Sequence, residues 1–434
     1  MKYYSTNGKA PIADLHKAVV KGLAEDRGLY MPESIKQLPK EFFDTIETKT
    51  FQEIAYTVAD AFFGEDVDAE SLRKIVYDTL SFDCPVVKVK DHIYSLELFH
   101  GPTLAFKDVG ARFMARLLQY FIRQENGNGQ VNVLVATSGD TGSAVANGFL
   151  GVDGIHVYVL YPKGKVSPIQ ECQFTTLGKN ITAIEVDGVF DDCQALVKNA
   201  FMDAELNQHM KLTSANSINV ARFLPQAFYY FNAYARMKAQ GKADNLVMCV
   251  PSGNFGNICA ALFGHAQGLP IKRFIAANNA NDIFYNYLQT GRYEPKPSKQ
   301  TLANAMDVGD PSNFARIYDL YGKSHERISS LISGATYSDD QIRETMRQCY
   351  EETGYILDPH GACGYQALVD GLQPNEVGVF CETAHPAKFK EKVDDILGID
   401  VDIPARLRAF MEGEKQSTPM TKDFADFKQY LLSQ

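Results

Sequence analysis

The sequence lacks the patterns that mark membrane, exported and zinc-binding proteins. No apolar run is long enough to span a bilayer, and the N-terminal residues contain no apolar signal core. No two of the eight cysteines form a Cys-x-x-Cys pair, and the histidines do not follow metal-ligand spacing. These absences predict a cytoplasmic protein with reduced, buried cysteines and no bound metal.

An excess of positive charge is also missing. The net charge is −10, which disfavours nucleic acid as a partner because phosphate backbones attract lysine and arginine. Hydrophobic residues make up 45% of the chain and charged residues 22%, the balance of an ordinary folded protein. With 434 residues the chain is too long for one compact core, so we expect two or three domains.

Helical spacing dominates the first part of the chain. Apolar residues recur at that spacing in residues 51–63, and Gly64 suits a helix stop. From about residue 90 onward, short runs rich in Val, Ile and Tyr alternate with helical segments, which predicts parallel α/β sheets. The predicted buried strands are Val131 to Ala136, Ile155 to Tyr161, Ile181 to Val186, Leu246 to Val250, Phe274 to Ala277 and Val377 to Phe380.

This change of pattern sets the predicted domain borders. We expect a mostly helical N-terminal domain at 1–92, a smaller α/β domain at 93–225 and a larger α/β domain at 226–434. The acidic and polar tail after Glu412 is expected to be a surface helix, and residues 293–298 a loop.

Two strand–loop–helix segments, residues 132–142 and 246–257, carry small polar residues and glycines in the loop. Such a turn exposes backbone N–H groups at a helix N-terminus, where the helix dipole favours an anion. Neither segment ends in the Gly-Lys-Ser/Thr of a Walker loop or has the Gly-x-Gly-x-x-Gly dinucleotide spacing. Each loop is therefore either an anion site or a simple tight turn.

Lys107 stands between Phe106 and Asp108 in an otherwise apolar stretch. A lysine in apolar surroundings loses some preference for its charged form. The neutral amine is the nucleophile that a Schiff-base lysine needs. The alternative is an ordinary lysine that reaches the surface from a helix.

These segments occur in an order that resembles the threonine synthase family. The similar motifs are Glu97 to Asp108 (the cofactor-lysine motif), Ala136 to Gly142, Asn216 to Arg222, Pro251 to Asn257 (the cofactor-phosphate loop) and Glu382 to Phe389. Residues 4–32 resemble the family's opening segment, so the resemblance runs from residue 4 to about 390. It implies the tryptophan synthase β-like fold (fold type II) of pyridoxal-phosphate enzymes, with two parallel-sheet α/β domains and a mostly helical N-terminal domain.

The resemblance also implies roles for individual residues. Lys107 would be the catalytic base and carry pyridoxal 5'-phosphate as a Schiff base, and Thr383 would meet the pyridine nitrogen. The implied cofactor-phosphate loop is Gly253, Asn254, Phe255, Gly256 and Asn257. The implied substrate-binding residues are Ser138, Gly139, Asp140 and Thr141 for the carboxylate or near the cofactor ring, and Asn216, Ser217, Arg222 and Lys163 for the phosphate. Without its motif, Arg222 would be interpreted as part of a surface ion pair, and Asn216 as a cap or turn residue.

The activity implied by the resemblance converts O-phospho-L-homoserine and water to L-threonine and phosphate, with a monomer or homodimer as the expected state. Two alternatives stay open: a threonine or serine dehydratase of the same fold, and a non-catalytic cofactor-binding relative. His360 and His385 are expected to make structural hydrogen bonds, because lysine already supplies the base. One departure from the family concerns residues 26–28, where Asp-Arg-Gly replaces the Asp-Gly-Gly of many members and puts that turn's conformation in doubt.

Overall fold

The structure, a computed structural model, describes residues 1–125 and 129–434. Its strands, in chain order, are β1 (Lys2–Ser5), β2 (Ala13–Asp14), β3 (Tyr30–Pro32), β4 (Val86–Lys90), β5 (Ile93–Glu97), β6 (Val131–Ala136), β7 (Ile155–Pro162), β8 (Ile181–Asp187), β9 (Lys211–Ser214), β10 (Leu246–Pro251), β11 (Arg273–Asn278), β12 (Ile332–Thr336), β13 (Val377–Glu382) and β14 (Thr418–Thr421). All the strands predicted from the sequence are confirmed, because continuous Val, Ile and Tyr runs suit parallel strands buried on both faces.

Helices occupy most of the remaining chain. They are α1 (Leu15–Lys21), α2 (Lys40–Asp44), α3 (Phe51–Phe63), α4 (Ala69–Thr79), α5 (Lys107–Gln124), α6 (Asp140–Phe149), α7 (Pro168–Thr175), α8 (Phe190–Met202), α9 (Ala204–His209), α10 (Val220–Phe223), α11 (Ala227–Ala239), α12 (Gly256–Ala266), α13 (Ile283–Thr290), α14 (Phe314–Leu320), α15 (His325–Leu331), α16 (Asp339–Thr353), α17 (Pro359–Gly371), α18 (Lys390–Leu397), α19 (Ala405–Met411) and α20 (Phe424–Leu432). No helix within the described ranges is both long and apolar enough to cross a membrane.

Local sequence signals fix the ends of α3. A capping box joins Thr50 and Glu53 at its start, where each side chain accepts from the other residue's backbone N–H. Gly64 follows its last residue. The predicted helix and its stop are confirmed, and eight of its side chains are buried.

The described chain forms two compact units. Unit 1 comprises Met1, 31–106 and 223–402, and unit 2 comprises 2–30, 107–222 and 403–434. Each unit is assembled from several stretches of chain, whereas the domains predicted from the sequence are consecutive. The two units do not correspond one to one with the three predicted domains, so the domain borders at 92 and 225 stay a prediction.

Unit 1 is built on a sheet in the order β12-β11-β10-β13-β5-β4. The strands from β12 to β5 are parallel, and β4 is antiparallel to β5. The central strand β10 is buried throughout, and α17 packs on β10 and β13. The carboxyl ends of β10 and β13 consequently lie at one edge of this sheet, where ligands bind in open α/β folds.

Unit 2 contains a parallel sheet in the order β14-β8-β7-β6-β9. The carboxyl ends of β6, β7 and β9 thus share one edge of the sheet. The surface helix predicted after Glu412 is wrong in part. That segment supplies the edge strand β14, and the helix α20 buries Phe427 and Leu431 against the core of unit 2.

The departure at residues 26–28 has a defined conformation. Arg27 adopts a left-handed backbone with φ of 68°, the region that glycine occupies without a steric penalty. The carboxylate of Asp26 accepts from the Ser5 hydroxyl at 2.6 Å and from the N–H groups of Gly28 and Lys9 at 2.9 Å. These bonds hold the turn in this form although residue 27 is not glycine.

Candidate active site

Lys107 is the first residue of α5 and is half-buried. Its Nζ donates a hydrogen bond of 2.6 Å to Oγ1 of Thr141, in the first turn of α6. Both residues belong to unit 2. The structure therefore brings together the predicted cofactor lysine and one of the predicted substrate-binding residues.

The loop between β6 and α6 is shaped by Thr137 and Gly139. The hydroxyl oxygen of Thr137 accepts from the N–H groups of Gly139 at 2.9 Å and Gly142 at 2.8 Å. Gly139 has a φ of 147°, and a Cβ there would lie 2.6 Å from the side chain of Gln170. Only glycine fits this position. The predicted loop is therefore a defined tight turn that leads into α6.

Polar groups of this loop have distinct partners. Asp140 is 6% exposed, and its Oδ1 accepts from Nε2 of Gln170 at 3.0 Å. The backbone N–H groups of Ser138 and Thr141 donate to no residue within the described ranges. These two donors lie at a helix N-terminus, where an anion such as the substrate carboxylate is favoured.

Three of the residues predicted to bind the substrate phosphate lie near the carboxyl ends of unit 2 strands. Asn216 follows β9, and its Nδ2 donates to the carbonyl of Ala136 at 3.1 Å, which ties it to the end of β6. Ser217 is half-buried, and Lys163 follows β7 and is exposed. The structure thus places these residue types at the edge that also carries the β6–α6 loop.

Arg222 does not lie at the surface. It is 1% exposed, and its guanidinium donates through Nη1 to the carbonyl of Ala215. Gly110 of α5 makes room for it, because a Cβ there would collide with the carbonyl oxygen of Arg222. The surface ion pair considered as an alternative is excluded by this burial, while phosphate binding by Arg222 stays a prediction.

In unit 1, the loop after β10 is the clearest candidate anion site. The backbone N–H groups of residues 253–257 donate to no acceptor in the described chain. Phe255, the residue before α12, has a left-handed backbone with a φ of 67°. Five consecutive unsatisfied donors at a helix N-terminus fit the phosphate of pyridoxal phosphate.

Side chains around the loop keep it in place. Asn257 accepts from the Ser252 hydroxyl at 2.7 Å and donates to the Pro251 carbonyl at 2.9 Å, so its side chain supports the loop. The Asn254 carbonyl accepts from the backbone of a neighbouring segment at 3.0 Å. A Cβ at Gly253 would lie 2.7 Å from the Ala305 carbonyl oxygen. Gly253 therefore lets two backbone segments approach closely.

Thr383 follows β13 in the same unit and is 7% exposed. Its carbonyl accepts from the N–H of Phe106 at 2.8 Å, so the residue before Lys107 is fixed to it. Its hydroxyl makes no hydrogen bond to any residue that the structure describes. A hydroxyl in this state fits the predicted contact with a pyridine nitrogen.

The two histidines make structural hydrogen bonds, as expected. His360 Nδ1 lies 2.5 Å from Oδ2 of Asp358, and His385 Nδ1 accepts from the Ala387 N–H at 2.9 Å. Burial, reinforced by the nearby charge of His100, lowers the pKa of His385 to about 4. His385 is thus a neutral hydrogen-bonding group at neutral pH.

Sequence reasoning missed two supports of these sites. Gln170 orients Asp140 from α7, and Asp358 faces Glu382 at the start of α17. Neither pair has a spacing motif, because each contact depends on how two separate elements of the fold pack together. No group of His, Cys, Asp and Glu side chains suited to a metal ion occurs in residues 1–125 and 129–434.

Comparison with known proteins agrees with this geometry. The profile of the family described as pyridoxal-phosphate dependent enzyme matches residues 84–381. Profiles described as threonine synthase N terminus and threonine synthase, C-terminal, match residues 2–80 and 361–431. The two terminal matches distinguish this chain from fold type II enzymes in general.

Full-length relatives carry the same name. The chain is 44% identical to a threonine synthase of Haemophilus influenzae over 432 residues, with 100% of both chains covered. It is similar to the crystal structure of threonine synthase from Escherichia coli, with a TM-score of 0.94, 42% identity and 100% of both chains covered. It is also similar to PLP-bound threonine synthase from Brucella melitensis (TM-score 0.92, 34% identity, 100% of this chain and 99% of the other). These matches span the whole chain, and the protein belongs to the threonine synthase family of pyridoxal-phosphate-dependent enzymes.

Proposed function

We propose that this protein converts O-phospho-L-homoserine and water to L-threonine and inorganic phosphate, the last step of threonine biosynthesis. It is a carbon–oxygen lyase that acts on phosphates. The observation that carries the proposal is the row of unsatisfied N–H donors at residues 253–257, which suits a phosphorylated cofactor. The half-buried amine of Lys107 beside Thr141 supplies the nucleophile that this cofactor requires.

Pyridoxal phosphate, when bound, supplies an electron sink that makes protons near the substrate amine removable. Lys107 would hold the cofactor through its Nζ, and the same amine, when free, would serve as the base. Thr141 accepts a hydrogen bond from Nζ and so orients the amine toward one direction. Thr383 would offer its hydroxyl to the pyridine nitrogen, and a neutral partner would not force that nitrogen to be protonated.

Loop residues bind the two anionic ends of the substrate in this proposal. Residues 138–141 hold the carboxylate, and the donors available for it are the backbone N–H groups of Ser138 and Thr141 at the start of α6. Asn216, Ser217, Arg222 and Lys163 receive the phosphate, with arginine as the strongest donor for its oxygens. Binding of both the carboxylate and the phosphate would hold the Cα and Cβ protons within reach of the Lys107 amine.

Proton transfers then balance the reaction. Lys107 removes the Cα proton, a second proton leaves Cβ, and phosphate departs from Cγ. A proton returns to Cγ, water adds at Cβ, and Cα regains a proton. One water is consumed and one phosphate is released for each threonine formed. A single mobile amine suffices for the transfers at Cα, since lysine can change protonation state when partly buried.

The decisive experiment adds O-phospho-L-homoserine to the cofactor-loaded protein and measures inorganic phosphate and threonine together. Equal release of both, lost in Lys107→Ala, is the expected result. Ammonia and a keto acid from serine or threonine, with no product from O-phospho-L-homoserine, would move the protein to the dehydratases. A cofactor absorbance that responds to none of these substrates would identify a non-catalytic relative.

We also propose a cytoplasmic location and a monomeric or homodimeric state, without nucleic acid or membrane as partners. The eight cysteines are free thiols, and seven of them are buried, which suits a reducing compartment. Cell fractionation and light scattering of the purified protein test these two points. Recovery in the membrane fraction, or a larger stable assembly, would contradict them.

A further inference from the structure

Glu382, the last residue of β13, has a fully buried carboxyl group without a donor. Its exposed fraction is 0%, and neither Oε1 nor Oε2 accepts a hydrogen bond from any residue in the described ranges. A buried carboxylate in this situation would lose its hydration without compensation. The group is favourable in this place only as a neutral carboxylic acid.

Asp358, which is also fully buried, shows the opposite arrangement. Its Oδ1 accepts from the N–H of Gly361 at 2.8 Å, and its Oδ2 accepts from the backbone N–H of His360 at 3.2 Å. His360 Nε2 accepts from the N–H of Ala305 at 3.1 Å, which places the imidazole proton on Nδ1, 2.5 Å from Asp358. With three donors at the N-terminus of α17, Asp358 is the ionised member of the pair.

The two carboxyl groups meet at the first turn of α17. A Cβ at Gly361 would collide with Oε2 of Glu382, so the acid lies directly on the backbone that Asp358 caps. Burial first, and then the charge of Asp358, raise the pKa of Glu382 well above its usual range. They outweigh the backbone N–H of Asp358, which lies nearby without forming a hydrogen bond of normal geometry and favours the ionised form. Burial opposes ionisation of Asp358, but a hydrogen bond from Glu382 and the nearby His360 outweigh it and lower the pKa of Asp358.

Other groups around Glu382 act in the same direction. Glu97 of β5 is its partner in the sheet register. Oε2 of Glu97 accepts from the Tyr355 hydroxyl at 2.7 Å, and Oε1 lies 2.9 Å from His100 Nε2. This carboxylate is thus a second negative charge facing Glu382. Two such neighbours make the neutral form of Glu382 still more favourable.

We propose that Glu382 carries a proton, which it donates to Asp358, and that this acid pair positions Thr383 and the cofactor-phosphate loop. Two acceptor-only carboxylates cannot satisfy each other, and one shared proton removes the conflict. The pair fixes the end of β13, where Thr383 begins. The positioning part rests on the proposed function, whereas the protonation of Glu382 does not.

The same contacts reach the phosphate loop. From Asp358 they pass through His360 to the N–H of Ala305, and the Ala305 carbonyl lies against Gly253. One buried network therefore supports both features of unit 1 that fit the cofactor. A change in the donor at Glu382 alters Asp358 directly and the loop through His360.

The protonation is tested on the cofactor-free protein by urea unfolding of wild type and Glu382→Gln at a series of pH values. A proton held only by the folded state makes the folded protein less stable as pH rises above the usual glutamate pKa of 4.5. The unfolding constant of wild type relative to Glu382→Gln should rise about tenfold per pH unit from there until native Glu382 ionises. A ratio that stays flat between pH 5 and 8 would overturn the proposal.

Glu344→Gln is the matched control, since Glu344 is exposed on α16. Its ratio to wild type should stay flat over this range. If Glu382→Gln does not fold, the infrared spectrum of wild type at pH 8 decides. That pH is above the value of about 6 to which burial raises the pKa of Asp307. A protonated-carboxyl band at pH 8 supports the acid pair, and its absence refutes it.

Positioning is tested by the cofactor affinity of two variants. Glu382→Ala removes the donor to Asp358 and should weaken pyridoxal-phosphate binding by about tenfold or more. Glu382→Gln keeps an N–H donor and should restore affinity to within about threefold of wild type. Equal losses in both variants would contradict positioning by this donor. The unfolding measurement stands whether or not the proposed activity is found.

Discussion

Nζ of Lys107 and Oγ1 of Thr141 are 2.6 Å apart, and the two residues stand at the starts of α5 and α6. These helices pack against each other in unit 2. The amine is therefore oriented by a rigid pair of helices rather than by a loop alone. This relationship predicts that the hydroxyl of Thr141 affects the reaction rate through its hydrogen bond with Lys107.

Thr141→Val removes one hydrogen-bond acceptor of Lys107 at nearly constant volume. A hydrogen bond to a charged group is worth about 1.5–3 kcal/mol, so we expect kcat to fall by roughly 10- to 100-fold. Single-turnover kinetics with O-phospho-L-homoserine measure the effect. Thr141→Ser retains the hydroxyl and should stay within about threefold of wild type; a Val variant as active as the Ser variant would contradict the role.

Arg222→Ala should lower both stability and kcat/KM. The side chain is 1% exposed and bonded to the Ala215 carbonyl, so its loss should cost about 2–3 kcal/mol of unfolding free energy. Lys163→Ala is the comparison, because its exposed amine should affect kcat/KM and change stability by less than about 0.5 kcal/mol. Urea unfolding and steady-state kinetics separate the two. If Arg222→Ala loses stability but keeps kcat/KM, Arg222 has no part in phosphate binding.

Glu376 should make stability depend on acid pH. It accepts from Arg273 at 2.7 and 2.9 Å and forms an ion pair of 3.0 Å with Lys272. The hydrogen bonds from Arg273 outweigh burial and lower the pKa of Glu376 from 4.5 to about 2. A depressed native pKa stabilises the fold fully above pH 4.5, and this contribution disappears as pH falls toward 2.

Glu376→Gln should therefore destabilise the protein by about 2–3 kcal/mol at pH 7. The gap between variant and wild type should narrow progressively below pH 4.5. Urea unfolding at several pH values tests this, with Glu344→Gln as an exposed control. A gap that does not change between pH 7 and pH 3 would show that the ionised form is not the stabilising one.

Arg27→Gly should stabilise the protein. The φ of 68° at Arg27 is strained for a side chain with a Cβ, at a cost of about 1–2 kcal/mol. Glycine removes this strain, but it also gives the unfolded chain more conformational entropy, which cancels part of the gain. We therefore expect a net increase of about 0.5–1 kcal/mol in the free energy of unfolding. Thermal unfolding measures it. Arg27→Ala, which keeps the strain, should give no such gain.

Gly253→Ala should weaken cofactor binding. The added Cβ would lie 2.7 Å from the Ala305 carbonyl oxygen, so one backbone segment must move. Such overpacking costs about 1–3 kcal/mol, which predicts a rise of roughly 5- to 100-fold in the dissociation constant of pyridoxal phosphate. Gly371→Ala meets only an ordinary contact at 3.4 Å and should bind the cofactor like wild type.

The sequence was sufficient for features that depend on neighbouring residues. The strand β10 and the glycine turn that follows it are contiguous, and so are Lys107 and its apolar flanks. A short stretch of sequence is enough to predict these features, because the strand, the turn and the helix start are local structures. The motif order added the cofactor, which no single window could identify.

Features that depend on tertiary packing could not be predicted. Gln170 reaches Asp140 only because α7 packs beside α6. The strand β14 was missed because Pro419 interrupts a short run, and proline is tolerated there only because β14 is an edge strand. No local sequence pattern indicates that Arg222 is buried. Its burial depends on Gly110 of α5, which leaves space for it.

The edge position of β14 also affects how the protein folds while it is being translated. About 230 residues are translated between the end of β8 at Asp187 and the start of β14 at Thr418. At roughly 5–20 residues per second this takes about 10–50 s. During that interval the nascent chain contains β8 but not yet β14, its neighbour in the folded sheet. β8 pairs with β7 on one side, but its other edge stays open until β14 is made. An open strand edge is a template for pairing with another chain, so a chaperone that shields this edge of β8 during translation would raise the yield of folded enzyme.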